Sequence, residues 1–421
     1  MLVVALAVAL SSPAAAQVAM VASSGDALAV SLLSIGAGPL VGQRFGHTAF
    51  RIRDARRNTD RLYSYGILPT ETPVFLAQLL GGQLRQRVKV FETRQMLARY
   101  ERAGRAVWEQ RLHLTPGQRA ALLAELDHLT RSIDSPLPFD YYLDNCSTRP
   151  RDALDALLGG AIRRHTVDVP DGTLRRHAER YGATDLVLYT SLQILQGRSI
   201  DQPASAWDAM FLPERLRVHL RNVTIRAADG TTSPLVLQEE RLLAGRTVPA
   251  QGPRWLAAYA AAGGGVAGVL LLLGLTPTAG RGERRRPFRV LAVSWHVVAG
   301  VLGVLLAVLW TATGQHAAQA NQNLLVLNPA SLGLAVLLLS GRGARAQRRL
   351  AAALGAASLA AVLLHALPGT TQANAEVLAL TVPAHLTIAV VFWRRRQHGV
   401  THPARGPAPA PGDRLPAPAE R

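Results

Sequence analysis

Past residue 250 the chain is written for a lipid solvent. Five apolar stretches, 255–275, 288–312, 324–341, 350–367 and 377–393, follow one another with short breaks. About 20 apolar residues are what a helix needs to cross the hydrocarbon of a bilayer, and the last three stretches sit near the lower limit. The breaks alternate in charge. The first holds Arg281, Arg284, Arg285 and Arg286, and the third holds Arg342, Arg345, Arg348 and Arg349. The second (313–323) and fourth (368–376) hold no Lys or Arg, and Arg394, Arg395 and Arg396 follow the last span. Cationic loops stay on the cytoplasmic side. The pattern predicts an all-α bundle of five transmembrane helices over 251–396, a domain before it that lies outside the cytoplasm, and a cytoplasmic carboxyl end. The tail, 397–421, is rich in Pro and Ala and is expected to be disordered.

The amino terminus agrees with that topology independently. Residues 2–10 are apolar, Ser11-Ser12-Pro13 breaks the run, and Ala14-Ala15-Ala16 offers a small-residue cleavage site. Residues 1–19 therefore read as a signal peptide or a retained anchor, although no basic residue precedes the apolar run. The net charge of +18 does not point to nucleic acid. The excess is Arg, part of it in the topogenic loops, and the rest is scattered without interleaved aromatic residues for stacking.

Between 20 and 250 the composition is that of a globular α+β domain. Strands are expected over 27–35, from Gly46 to Arg53, over 61–66 and over 84–91, where side chains alternate. A short helix is expected over 73–80. An amphipathic one is expected over 115–131, with Thr115 as cap and Pro116 in its first turn. Further helices are expected over 174–181 and 205–219. The pieces make a small sheet with helices packed on it.

Within that domain the single cysteine, Cys146, stands in Phe139-Asp140-Tyr141-Tyr142-Leu143-Asp144-Asn145-Cys146-Ser147-Thr148-Arg149. An extended segment ends there and a helix begins, capped by Ser147 or Thr148, with an apolar stripe of Ala153, Leu154, Leu157 and Leu158. A helix N-terminus favours thiolate, and Arg149 and Arg151 push the same way. A lone Cys is more often a small buried hydrophobe. This one is flanked by polar residues and has no partner for an internal disulfide in an exported chain. A cysteine nucleophile needs a base. His47 follows Phe45-Gly46, where Gly permits close backbone approach, while the other histidines of this domain sit in charged helical or loop contexts. No metal-ligand pattern and no cofactor motif is evident.

The second outer loop, 313–323, is polar yet carries no fixed charge, and His316, Asn321 and Asn323 are its chemistry-bearing residues. It reads either as an ordinary connector or as a polar patch facing the globular domain, which His365 could join.

Together, Phe45-Gly46-His47-Thr48-Ala49-Phe50-Arg51 and the Asp140 to Arg149 run resemble the periplasmic domain of the Lnb-type bacterial lipoprotein N-acyltransferase family. The stretch from His316 to Asn328 resembles that family's membrane signature. The order of His before Cys also looks like the circularly permuted papain-like group that includes lecithin:retinol acyltransferases. The resemblance implies an α+β permuted papain-like periplasmic domain on a five-helix bundle in the bacterial inner membrane. It implies a cysteine-dependent acyltransferase that moves an acyl chain from a phospholipid donor through a Cys thioester to the α-amino group of a diacylated lipoprotein acceptor. By position Cys146 would be the nucleophile and His47 its base. Asn145, Tyr65 and Arg149 are candidates for oxyanion or support roles, and His316, Asn321 and Asn323 for substrate binding. Two other readings share the same residues. One is a papain-like cell-wall amidase or peptidase anchored in the membrane, with water replacing the amine. The other is a non-catalytic membrane-anchored binding module with Cys146 buried.

Overall fold

A computed structural model describes residues 25–69, 71–132, 136–226, 229–252, 255–275, 286–367 and 369–398. The proposed export segment, Arg281, Arg284 and Arg285, and the chain from 399 onward lie outside the described residues.

The amino-terminal domain is built on a seven-stranded antiparallel sheet. Its strands are β1 (Leu28–Ile35), β2 (His47–Asp54), β3 (Thr59–Ile67), β4 (Arg85–Glu92), β5 (Val107–Leu112), the two-residue β6 (Leu137–Pro138) and a last strand (Val236–Leu243). The spatial order runs from that last strand through β5, β1, β2, β3 and β4 to β6. Alternation along the strands sends Leu28, Val30, Leu32, Phe50, Ile52, Tyr63 and Tyr65 to one face and Leu33, Ile35, Ala49 and Leu62 to the other. Two ribbons, β7 (Pro170–Thr173) with β8 (Pro203–Ser205) and β9 (Thr224–Arg226) with β10 (Thr232–Pro234), flank the sheet, so the last strand is β11. β5 and β11 carry no clear signal in the sequence. β5 is a strand whose middle, Glu109-Gln110-Arg111, is polar, and it pairs on both sides.

Helices of this domain are α1 (Thr72–Leu80), α2 (Thr93–Arg102), α3 (Pro116–Arg131), α4 (Thr148–Leu157), α5 (Ala161–Thr166), α6 (Leu174–Glu179), α7 (Leu186–Leu195), α8 (Ala206–Ala209) and α9 (Pro213–Leu220). The expected helix over 205–219 is two, because Pro213 starts a new one. α3 begins with a full capping box: the Thr115 side chain accepts from Gln118 N, and the Gln118 side chain accepts from Thr115 N. α3 and α4 cover the first face of the sheet, and α2 covers the second through Tyr100, Met96 and Leu97. Leu154 of α4 is fully buried there, a contribution of about 2 kcal/mol.

Four further helices are long and apolar enough to cross a membrane. These are α10 (Leu256–Leu275), α11 (Arg286–Ala312), and, beyond the short α12 (Ala330–Ser340), α13 (Ala344–Leu364) and α14 (Ala375–His398). The expected third span, 324–341, is not one helix. α12 has 11 residues, about 16 Å of rise. A bent stretch of 3-10 turns from His316 to Leu325 precedes it, and counted together the two make a fifth span. The break falls at Asn328-Pro329, where Asn328 Oδ1 accepts from Ala330 N and starts α12. The broken element still runs the height of the bundle. It leaves the end of α11, and at its far end the Arg289 guanidinium, near the start of α11, donates to Leu339 O.

The two domains are joined by hydrogen bonds as well as by the chain. Asn321 Nδ2 donates to Ile194 O, and Asn323 Nδ2 donates to Gln193 O and Ile194 O, at 2.8 to 3.0 Å. Tyr189 OH donates to Glu376 at 2.9 Å. α7 is thereby seated on the head of the bundle.

Candidate active site

Cys146 is placed by its neighbour. Asn145 is buried, and its Oδ1 accepts from Ser147 N (2.6 Å) and Thr148 N (3.0 Å). Its Nδ2 donates to Tyr141 O (2.6 Å) and Phe211 O (3.1 Å). Asn145 thus caps α4 and ties it to the loop before and to the segment leading into α9. Neither expected cap serves: Ser147 Oγ donates to Met210 O, and Thr148 Oγ1 accepts from Asn145 N. The arrangement also occupies the N–H groups of Ser147 and Thr148, the donors one would assign to an oxyanion. The backbone N–H groups that face the thiol are those of Cys146 itself and of Thr48.

That second donor brings β2 to Cys146. Thr48 follows His47, the first residue of β2. In the β2–β3 pairing Ala49, two residues past His47, lies opposite Ser64, two residues before Gly66. A Cβ on Gly66 would stand 2.8 Å from Cys146 Cβ, and its φ is +77°. Only glycine lets the thiol come this close to the ribbon that carries His47. Among the described residues no side chain lies within hydrogen-bond distance of the His47 ring.

Electrostatics in the site differ from the expected helix-end thiolate. Burial raises the Cys146 thiol to about 11, against the pull of the two N–H groups and of Arg105. Burial, with Arg105 second, lowers His47 to about 4. At neutral pH the resting pair is thiol and neutral imidazole, a form in which His47 is free to accept a proton. Desolvation outweighs the helix-end field here. Arg149 and Arg151 do not supply the expected help. Arg149 is held in a two-pronged ion pair with Asp144. Arg151 donates to Trp207 O at 2.7 Å and stacks on that indole at 3.9 Å.

The cation that does face the pair is Arg105, between α2 and β5. Its Nε donates to Gly36 O at 2.8 Å, its guanidinium stands 5.2 Å from the Tyr100 ring, and its buried Nη2 has no partner among the described residues. Nothing in the Gly104-Arg105-Ala106 sequence marks it. Only the pairing of Ile35 with both His47 and Val107 brings it to this end of the sheet.

Tyr65 is a core residue, 2% exposed on the α3–α4 face. Tyr63 donates to Asp127 at 2.8 Å.

The outer loop meets the nucleophile loop directly. Asp140 Oδ1 accepts from Tyr142 N (2.8 Å) and Leu143 N (2.9 Å), while Oδ2 accepts from His316 N (2.6 Å). Gln315 Nε2 donates to Phe139 O at 3.0 Å. His316 is therefore beside the Cys146 loop, through its backbone. Asn321 and Asn323 are buried, and their amides are taken by α7 and by Gln372 and Asn374. His365 joins this network through Asn374 at 2.9 Å. Asn321 and Asn323 hold the joint: among the described residues their amides bond to protein groups on both sides of the domain boundary.

Comparison with known proteins follows this division of the chain. A family model described as the Lnb N-terminal periplasmic domain matches residues 18–180, and one described as the Lnb transmembrane domain matches residues 265–397. No curated protein and no solved structure matches the chain. With its periplasmic α+β domain followed by a helical membrane domain, the chain belongs to the Lnb family.

Proposed function

We propose that the protein is a lipoprotein N-acyltransferase working through a Cys146 thioester, on a permuted papain-like arrangement of Cys and His. The observation that carries the reading is the seating of Cys146. It lies against the end of the β2–β3 ribbon that bears His47, on a loop hydrogen-bonded to the outer loop of the membrane bundle. Both substrates of such a reaction are membrane-anchored, so a nucleophile fixed at the bundle's head meets them at high effective concentration.

The chemistry divides into two acyl transfers. Cys146 Sγ attacks an ester carbonyl of a glycerophospholipid while its proton passes to His47. The C–O bond breaks, His47 returns the proton to the departing lysophospholipid oxygen, and a thioester remains. The α-amine of a diacylglyceryl-cysteine then attacks. His47 takes the amine proton, the C–S bond breaks, and the thiolate is reprotonated. The neutral resting pair suits this cycle, because charge appears only as the ester is engaged. The Cys146 and Thr48 N–H groups lie where an oxyanion beside Sγ would form, and Arg105 adds a positive field. The positive arginine loops support a cytoplasmic carboxyl end.

The test is transfer itself. Full-length protein in phospholipid vesicles is incubated with a diacylglyceryl-cysteine lipopeptide, and mass spectrometry follows one added acyl chain. Cys146→Ser should yield none. Release of free fatty acid or cleavage of the peptide, with no triacylated product, would replace the transferase by a hydrolase.

A further inference from the structure

The helix α1, Thr72-Pro73-Val74-Phe75-Leu76-Ala77-Gln78-Leu79-Leu80, has no charged residue and, in the folded chain, no buried one. Val74, Leu76 and Leu80 are each about 45% exposed. A helix apolar on every side needs an apolar surrounding, and here protein does not supply it. Its position says what does. The turn that closes α1 rests on the outer end of α11: a Cβ on Gly82 would stand 3.0 Å from Ala312 O. α1 therefore lies at the height where the membrane bundle meets the periplasm. The next strand, β4, opens with Arg85, Arg87 and Lys89 on an otherwise mixed face. Between helix and strand is a cavity of about 280 Å³, lined by the apolar Ile67, Leu68 and Val74, by Glu71 and Gln78, and by those three cations, which outnumber the one carboxylate. Ile67 adjoins Gly66, which touches Cys146. Phe139 N donates to Leu84 O just past α1, and Leu143 of the nucleophile loop is 56% exposed.

We propose that α1 is an interfacial helix lying in the periplasm-facing leaflet, and that the cleft between α1 and β4 holds a phospholipid. The phosphate faces Arg85, Arg87 and Lys89 with Val74 beside it, while Leu76 and Leu80, on the opposite side of α1, sink into the leaflet. Apolar burial of one face together with cationic contact to phosphate is the physics of interfacial anchoring. That a lipid held there stands beside Cys146 as acyl donor rests on the proposed transferase reading. The membrane placement does not, and a catalytically silent protein tests it.

The experiment uses full-length Cys146→Ser carrying Leu76→Cys with a nitroxide label, in vesicles of phosphatidylethanolamine and phosphatidylglycerol. Collision with oxygen should dominate over collision with a water-soluble nickel chelate. A label at Glu240→Cys on β11, at the far edge of the sheet, should show the reverse. Nickel collision at 76 equal to that at 240 would overturn the placement. In the same background, a phosphatidylglycerol with a photoactivatable acyl chain should crosslink to residues 72–80. Arg87→Glu with Lys89→Glu, both exposed positions, should lower that yield at least fivefold. Crosslinks confined to the membrane helices, or a yield unmoved by charge reversal, would overturn the lipid cleft. Failure of acyl transfer with both results intact would fault only the transferase reading.

Discussion

Replacing Asp140 by Asn isolates the bond between the membrane domain and the nucleophile loop. The carboxylate divides its work: Oδ1 holds Tyr142 N and Leu143 N within the loop, and Oδ2 holds His316 N across the domain boundary. An amide keeps one oxygen for the two internal donors and turns an NH2 toward the His316 N–H, donor against donor. A hydrogen bond to a charged acceptor contributes roughly 1.5–3 kcal/mol. A loss of about 2 kcal/mol shifts a docked-to-undocked equilibrium some thirtyfold, since about 1.4 kcal/mol is tenfold. Misplacement of a nucleophile by about 1 Å costs on the order of a hundredfold in rate. We expect single-turnover acylation of Cys146 by vesicle phospholipid to fall about 10- to 30-fold. Alkylation by a small soluble maleimide, which needs no docked loop, should hold or rise. Asp140→Ala, which removes all three bonds, should lower both lipid acylation and thermal stability. An Asn variant acylated within twofold of the native rate would refute the coupling.

Four other outcomes follow from the site. His47→Ala should lower acyl transfer roughly a hundredfold or more, and an unchanged rate would move the base elsewhere. The same residue sets an acid limit. The unfolded chain binds a proton near 6.5, whereas the folded His47 resists to about 4. Stability is therefore full above about 6.5 and is lost as pH falls toward 4, by roughly 3 kcal/mol. Denaturant unfolding of His47→Ala should show a shallower loss over that window, and identical slopes would remove His47 as the cause. Asn145→Ala strips the cap of α4 and leaves two buried carbonyls without donors, for about 2–4 kcal/mol; an unaltered melting temperature in detergent would contradict this. Arg105→Gln should move the pH profile of Cys146 alkylation upward, because a cation that favours thiolate is gone, with Arg105→Lys restoring most of it. Superimposable profiles would free Arg105 of that role.

Local grammar made much of this legible in the sequence. The Thr115-Pro116-Gln118 start of α3, the β2–β3 hairpin and the alternating charge of the membrane loops are written in a few adjacent residues each. So is the run around Cys146, though its cap is misread there. Ser147 and Thr148 are good caps by type, and only the fold shows Asn145 reaching four backbone groups at once. Arg105 is illegible for a different reason. It belongs to the site through strand pairing, which joins Ile35 to both His47 and Val107, and no local pattern encodes a long-range register. A helix end, which favours thiolate, is visible in sequence, and desolvation, which opposes it, is not. The two act on the same thiol, and here burial is the larger effect.

Composition allows the uncharged outer loop two readings, and the structure shows what its amides bond. Amide side chains at a membrane head can bind a headgroup, or they can bind each other. Here Asn323 donates to Gln193 O and Ile194 O and accepts from Asn374, while Asn321 accepts from Asn323 N and donates to Ile194 O. Each amide pairs backbone groups that would otherwise be buried unmet, at the cost of no charge. The same loop, a few residues earlier, presents His316 N to Asp140. A rigid joint is what that geometry requires. If the loop rocked, the bond at Asp140 would move, and with it the Asp140–Asp144 turn from which Cys146 is hung. The loop's polarity serves to hold the Cys146 loop still against the head of the bundle.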